Sequence, residues 1–447
     1  MLGKRILNQM NNDMYFKEVT YDNVRSMWNI VRRTCKNKRA ILRYTINQNT
    51  MNYILYQKLL NCDYKPLPFR LFLIFEPKER LVMSQAISDK IINHFVDNYY
   101  LIPYLDKKLI DSNVATRKGK GSKYADKLMN DYINKIRQKE PNKEIFVLKV
   151  DVSKYFYTIS HDILMKKLES EISDDNVLKI IKTIIDETDK PYINDTINRL
   201  NKKHNTSIPL YKKGVGLSIG AMTSQFLAIF YLNDLDHYIK EKLHCKYYIR
   251  YMDDFIIIDT NRKKLQEIWK LIEIELKKLE LSMNPKSSII SLNTGITFLG
   301  YKYKIINNRY KVTYRKKTIK KIRKKLDLLK KYDLVKYYKS YSSYYGYLIK
   351  IKYYRRKFTM NTIEKYKYFK VKYPKSIVFI GEKSYYKLYD NDAKIISNLF
   401  DYKINNSMVT IRIIDSSNIY DKLVDLQLKF LIIENDLSII KLFGNNR

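Results

Sequence analysis

Two adjacent carboxylates, Asp253 and Asp254, lie between Arg250-Tyr251-Met252 and the strand-forming run Phe255-Ile256-Ile257-Ile258. Burying two anions side by side costs several kcal/mol each unless a cation or a raised pKa offsets their repulsion. Neighbouring side chains of a strand point to opposite faces, so the pair fits best at the tip of a tight hairpin, where both can face a hard cation. A lone Asp-Asp also occurs in ordinary surface turns, so the pair alone leaves that alternative open. A third acid narrows it. Phe146-Val147-Leu148-Lys149-Val150 reads as a short apolar strand that delivers Asp151 at its end. Two strands ending in acids can hold two cations about 3.5–4 Å apart, one activating an attacking hydroxyl and one stabilising a leaving group.

Val150-Asp151-Val152-Ser153-Lys154-Tyr155-Phe156 and Tyr251-Met252-Asp253-Asp254 resemble the palm motifs of reverse transcriptases, with that family's Tyr-x-Asp-Asp box intact. The surrounding segments follow in the family's order. Pro68 to Arg80 resembles the fingers strands, Asp111-Ser112 through Gly121 the segment found next in bacterial relatives, and Gly216 to Gln225 the loop-to-helix motif under template and nucleotide. Leu281 to Ser287 and Thr297 to Tyr301 resemble the end of the palm. The likeness covers residues 20–350.

The resemblance implies an RNA-directed DNA polymerase with Asp151, Asp253 and Asp254 as catalytic residues. These, with the backbone of Val152, would hold two Mg²⁺ per site, Mn²⁺ being an alternative ion. It places Lys78, Arg80, Phe156, Gly220, Gln225 and Lys286 against the incoming nucleotide and Tyr251 against nucleic acid. Phe156 would crowd the sugar 2′ position and select deoxynucleotides; read alone it is rather an ordinary core aromatic after a strand. Gly216 and Gly220 alone read as turns. Ser218 and Ile219 stand where retroviral enzymes carry Pro-Gln, and the aliphatic residue is similar to diversity-generating-retroelement enzymes, which copy RNA with low fidelity.

The implied partners are an RNA template, a DNA or RNA primer and dNTPs, with a noncoding RNA or an accessory protein encoded nearby as further candidates. An antiphage-defence reverse transcriptase making protein-primed or untemplated DNA would share every catalytic residue, and a catalytically silent nucleic-acid-binding protein is the non-enzymatic alternative. A retron enzyme fits less well, because Val312-Thr313 is followed by Tyr314 rather than glycine. A group II intron maturase is weakened by the lack of a Cys/His-rich module after the thumb.

Composition agrees with a polyanion partner. The formal charge is +39 over 447 residues, with pI near 9.7. Lys and Arg contacts to phosphate give sequence-independent, salt-sensitive binding. The abundance of Lys, Ile, Asn and Tyr is also what an AT-rich genome imposes, so part of the charge has that second source. Cys35, Cys62 and Cys245 are widely spaced and match no disulfide or metal framework, and the five histidines form no ligand cluster along the chain, which argues against zinc. No apolar run approaches the ~20 residues of a membrane span and no signal peptide is visible, so a cytoplasmic location without membrane contact is expected.

The expected fold class is α+β, a right-hand polymerase with fingers, palm and helical thumb, followed by a small C-terminal α/β domain. Residues 1–305 would form fingers and palm, 306–360 the thumb and 361–447 the accessory domain. The first ~60 residues and those from 85 to 140 read as helical. Asp186 to Thr206 is polar and reads as a surface insertion. Tyr314 to Lys331 carries Ile319, Ile322, Leu326 and Leu329 on one helical face and Lys and Arg on the other, which suits a thumb helix on a duplex or a merely solvated face. After residue 361, strands at Ser376–Ile380, Met408–Ile413 and Phe430–Ile433 alternate with helices near Asp392–Leu399 and Ile419–Leu426, a βαβαβ pattern with a mixed sheet.

Lys372 to Ile380 and Ser384 to Ala393 resemble the N-terminal domain of MutS mismatch-recognition proteins, whose Phe-x-Glu element probes DNA. Tyr385 and Lys387 stand at the matching positions, so an aromatic is kept and the glutamate is not. This implies duplex docking through Tyr385 and Lys387; a small fold reused for protein contacts is the alternative.

Overall fold

The computed structural model describes residues 14–75, 79–348, 361–382, 384–433 and 439–443. Two compact units divide the chain: one runs to Ile296 and includes Lys304–Ile306, and the other comprises Thr297–Tyr303 and the chain from Asn307 onward.

The first unit opens with helices whose apolar spacing dictates their packing. In Tyr21–Thr34 the buried residues Val24, Met27, Trp28 and Val31 recur at three- and four-residue intervals, and the Thr20 side chain caps the first turn. Trp28 is enclosed, and its indole N–H donates to Gln48 Oε1 at 2.7 Å. Strands β1 (Arg70–Ile74) and β2 (Arg80–Ser84) form an antiparallel hairpin. The polar segment Asp186 to Thr206 lies mostly at the surface, as its composition suggests, but it is not an irregular loop. It contains the helix Pro191–His204, which buries Ile193 and Ile197 against Phe69, Leu81 and Met83 of the hairpin. Two apolar residues one turn apart suffice to seat it, and their sparse spacing among polar residues conceals the helix in the sequence.

Strands β3 (Phe146–Asp151), β4 (Tyr248–Tyr251), β5 (Asp254–Asp259) and β6 (Ser288–Ser291) form one antiparallel sheet in the order β4-β5-β3-β6. Helices Met222–Tyr231 and Arg262–Lys278 belong to the same core. The first is apolar almost all round, as a helix buried on most sides must be.

The chain from Ile296 onward, most of it in the second unit, contains two parts of different texture. Strands β7 (Ile296–Phe298), β8 (Tyr301–Ile306) and β9 (Arg309–Tyr314) form a meander that leads to helix Lys316–Tyr332. That helix buries Ile319, Ile322 and Leu326 and exposes its Lys and Arg residues. It packs on helix Leu334–Leu348, which also meets helix Thr362–Lys372. Strands β10 (Ile377–Glu382), β11 (Tyr385–Tyr389), β12 (Met408–Arg412), β13 (Phe430–Ile433) and β14 (Ile439–Phe443) form a sheet in the order β12-β11-β10-β13-β14. Only β10 and β13 run parallel, so the sheet is mixed. β11 and β14 are additional to the expected βαβαβ pattern. The Ser384-Tyr385-Tyr386-Lys387 run lacks the aliphatic alternation that announces a strand, and β11 is held by antiparallel partners on both sides instead.

Candidate active site

The hairpin between β4 and β5 turns in two residues, Met252 and Asp253. Met252 takes φ 58°, a conformation that costs an L-residue roughly 1 kcal/mol or more and that glycine or asparagine would adopt more readily. The turn is held in that shape from behind. Arg250 is fully buried, and its Nη1 donates to the Met252 carbonyl at 2.9 Å. Its Nε and Nη2 form a two-pronged pair with Asp236 at 2.7 and 2.6 Å, and Nη2 also donates to the Ile229 carbonyl at 2.7 Å. Tyr248 donates to the same Asp236 carboxylate at 2.7 Å. A buried charge pair is tolerated only when its remaining donors and acceptors are satisfied, and this one is saturated.

Register brings the third acid in. Asp151 at the end of β3 is paired directly with Asp254 at the start of β5, so the two carboxylates project from the same face of the sheet. Asp253 stands beside them at the turn tip, and its carbonyl accepts the Val152 N–H at 3.3 Å. Like charges opposite one another are unfavourable, and the site shows the strain. Burial pushes the Asp253 carboxyl up to about 6, with Asp151 adding to the rise while Arg80 opposes it. Burial likewise lifts Asp254 to about 6; Lys149, 3.2 Å away, opposes the rise, and the two neighbouring acids reinforce it. Asp254 Oδ1 is buried without a hydrogen-bond partner among the described residues. An unsatisfied carboxylate oxygen beside two further acids is the kind of donor set that a hard divalent cation takes.

Sequence reading did not single out Lys149, Arg250, Asp236 or Asn284. Lys149 lies two residues before Asp151, so strand alternation puts it on the same face; that signal was present. Asn284 donates from Nδ2 to Asp151 Oδ2 at 2.9 Å, and its backbone N–H donates to the Asp151 carbonyl at 2.7 Å. Nothing in the sequence pairs Arg250 with Asp236, fourteen residues earlier.

Of the residues expected near the nucleotide, Arg80 is exposed at the start of β2 and close enough to act electrostatically on Asp253. Lys78 lies outside the described residues. Phe156 is half-buried five positions after Asp151, with its ring edge-on to Tyr155 and its carbonyl accepting the Leu217 N–H at 2.7 Å. Gly220 takes φ 125°, and a Cβ there would lie 2.9 Å from the Met83 carbonyl oxygen of β2, so only glycine permits this approach. Next to it, the Ile219 carbonyl accepts the Met83 N–H at 2.8 Å, tying the loop to the hairpin. Gln225 is half-buried on helix Met222–Tyr231, Tyr251 half-buried opposite Asp254, and the Lys286 side chain exposed. In the second unit Tyr385 is exposed on β11, while the Lys387 ammonium pairs with Glu382 at 2.7 Å. No helix among the described residues is long and apolar enough to cross a membrane.

The model of the reverse transcriptase (RNA-dependent DNA polymerase) family matches residues 76–303, and that of MutS domain I matches residues 360–438. No curated protein matches the chain. Among solved structures, a truncated apo telomerase from Candida tropicalis aligns at 14% identity and TM-score 0.38, over 56% of this chain and 55% of that one. Telomerase from Candida albicans in complex with a TWJ fragment of telomeric RNA aligns at 15% identity and TM-score 0.39, over 57% and 46%. The chain thus spans about half the length of these structures. With the family model covering half of its residues, the chain belongs to the reverse transcriptase family.

Proposed function

We propose that this chain is an RNA-directed DNA polymerase that extends a primer 3′-hydroxyl with deoxynucleotides by metal-assisted nucleotidyl transfer. The observation that carries the reading is the register pairing of Asp151 with Asp254, which gathers three acids at one strand end with one buried oxygen unpartnered. Asp151, Asp253, Asp254 and the Val152 carbonyl would hold Mg²⁺, which when bound lowers the pKa of the primer hydroxyl and neutralises charge on the phosphate in flight. Asn284 fixes the Asp151 carboxylate, Lys149 keeps Asp254 from full repulsion, and Arg250 sets the turn. Arg80 would meet the triphosphate. Gly216 to Gln225 would support template and nucleotide, with Ile219 favouring a retroelement enzyme of the diversity-generating kind. Tyr385 would stack on a base of the bound duplex.

Primer extension on poly(rA)/oligo(dT) and on a mixed-sequence RNA template tests the reading, with dNTP incorporation that requires Mg²⁺ as the expected result. Its pH dependence is set by the raised carboxyls. Below about pH 6 Asp253 and Asp254 bind protons in the metal-free chain, and each proton that the cation must displace weakens its binding up to ~10-fold per pH unit. The Mg²⁺ concentration for half-maximal incorporation should therefore rise steeply as pH falls below about 6. A Mg²⁺ requirement that stays flat through that range would remove these acids from metal binding.

Phe156 is tested by sugar choice. Phe156→Val opens space beside the sugar, and ribonucleotide incorporation relative to deoxynucleotide should rise by about 10–100-fold, the range expected for changing a few methylenes in a pocket. An unchanged ratio would leave Phe156 as a core aromatic.

A further inference from the structure

A second cluster of ligating atoms lies apart from the three acids, at the start of helix His161–Glu169. His161 is 2% exposed, and its Nε2 lies 2.8 Å from the Gly216 carbonyl oxygen. A carbonyl only accepts, so Nε2 carries the hydrogen, and in the neutral ring Nδ1 is left as a lone pair. That Nδ1 is buried and has no hydrogen-bond partner among the described residues. It faces Asp186 Oδ1 at 3.6 Å and Asp189 Oδ2 at 3.8 Å, and the three atoms lie within 4.8 Å of one another.

A lone pair turned towards two carboxylates calls for positive charge between them, supplied by a proton on Nδ1 or by a metal ion. The distances favour the metal. An imidazolium would draw a carboxylate into hydrogen-bond range, about 2.7–3.2 Å, and neither approaches that closely. Ligand atoms bound at about 2.0–2.1 Å around a tetrahedral ion stand roughly 3.4 Å apart, near the 3.6 and 3.8 Å that separate His161 Nδ1 from the two carboxylates. The outer shell is also set for a metal: the Nε2 hydrogen bond to a backbone carbonyl fixes the ring, and Asp189 Oδ1 accepts the Gly214 N–H at 2.9 Å, leaving Oδ2 to turn inward. Lys182 lies 3.4 Å from Asp186 Oδ2 and donates at 3.5 Å to Oδ1, the oxygen that faces His161, but its side chain is 55% exposed, and such surface pairs are weak enough to yield.

We infer that His161, Asp186 and Asp189 form a structural site for a zinc-class divalent cation, with solvent completing the coordination. Imidazole with carboxylate oxygen suits such an ion better than Mg²⁺. The ion would brace the Gly216 loop from below, since His161 Nε2 and Thr188 Oγ1 both donate to the Gly216 carbonyl. One histidine and two acids spread over residues 161–189 leave no spacing signature, which is why the histidine pattern along the chain argues against zinc. The site is independent of the polymerase reading.

The test uses the full-length chain carrying Asp253→Asn/Asp254→Asn, so that ions at the turn are not counted. After EDTA treatment, Zn²⁺ loading and dialysis, elemental analysis should find one retained equivalent. Co²⁺ loading should give the intense visible bands of tetrahedral coordination, and Zn²⁺ should raise the Tm. His161→Gln, whose amide can still donate to Gly216, and Asp186→Asn, at a partly exposed position, should each lose the retained ion and the Tm response. Asp186→Asn should keep the metal-free Tm, which separates ligand loss from misfolding. Absence of retained metal in the parent, or retention unchanged in both variants, overturns the proposal in favour of a protonated His161 between the two acids.

Discussion

Asp253→Asn/Asp254→Asn is expected to abolish metal-dependent incorporation while making the metal-free chain more stable. Removing ligands that provide several kcal/mol of transition-state stabilisation should lower the rate by at least ~10³-fold. The stability change follows from the raised carboxyls. Both groups move from the ordinary 3.8 to about 6 on folding, so the folded state favours their protonated forms. The contribution of such groups is fully present below the unfolded pKa and is lost as pH rises through about 6, where the ionised acids repel in a partly buried site. Neutral asparagines remove that repulsion, at the expense of the Lys149 ion pair. In EDTA above about pH 6 the double variant should gain about 1–2 kcal/mol, a few degrees in Tm, and the gain should shrink towards pH 4. Added Mg²⁺ should raise the Tm of the wild type and leave the variant unmoved. If the variant is less stable than wild type in EDTA at pH 8, the acids are not in the repulsive arrangement described.

Arg250→Met should be the most damaging single change in the sheet. It leaves Asp236 as an uncompensated charge in a fully buried position, with its Arg250 hydrogen bonds gone and the Met252 and Ile229 carbonyls deprived of a donor. Breaking one side of a buried pair costs about 3–5 kcal/mol, whereas replacing both partners by apolar groups of similar size is often close to neutral. Arg250→Met/Asp236→Leu should therefore recover much of the lost Tm, as a denaturation series can show. It should not recover incorporation, because the turn that presents Asp253 in a left-handed conformation would still lack its anchor. Recovery of both properties would assign Arg250 a purely stabilising part.

The acids were legible in the sequence because their chemistry is local. Asp253 and Asp254 between strand formers require a turn, and an apolar strand ends in Asp151, the third acid. The amphipathic helix Lys316–Tyr332 was legible for the same reason, since a 3.6-residue period is written into consecutive positions. Helix Pro191–His204 was not, because only Ile193 and Ile197 mark its buried face and their partners lie on the β1–β2 hairpin. Strand β11 escaped likewise, its hydrogen bonds being provided by β10 and β12 rather than by any pattern of its own.

By itself the sequence determined where the acidic residues of the turn and strand end stand along the chain, and that the chain is strongly basic. Tertiary structure alone decided how those acids are held and tuned. Arg250 reaching Asp236, Asn284 reaching Asp151 over 133 residues, and His161 turned towards Asp186 and Asp189 are contacts between distant segments. Charge repulsion, desolvation and hydrogen-bond satisfaction depend on distances of a few ångströms, and those distances exist only after the strands have taken their register.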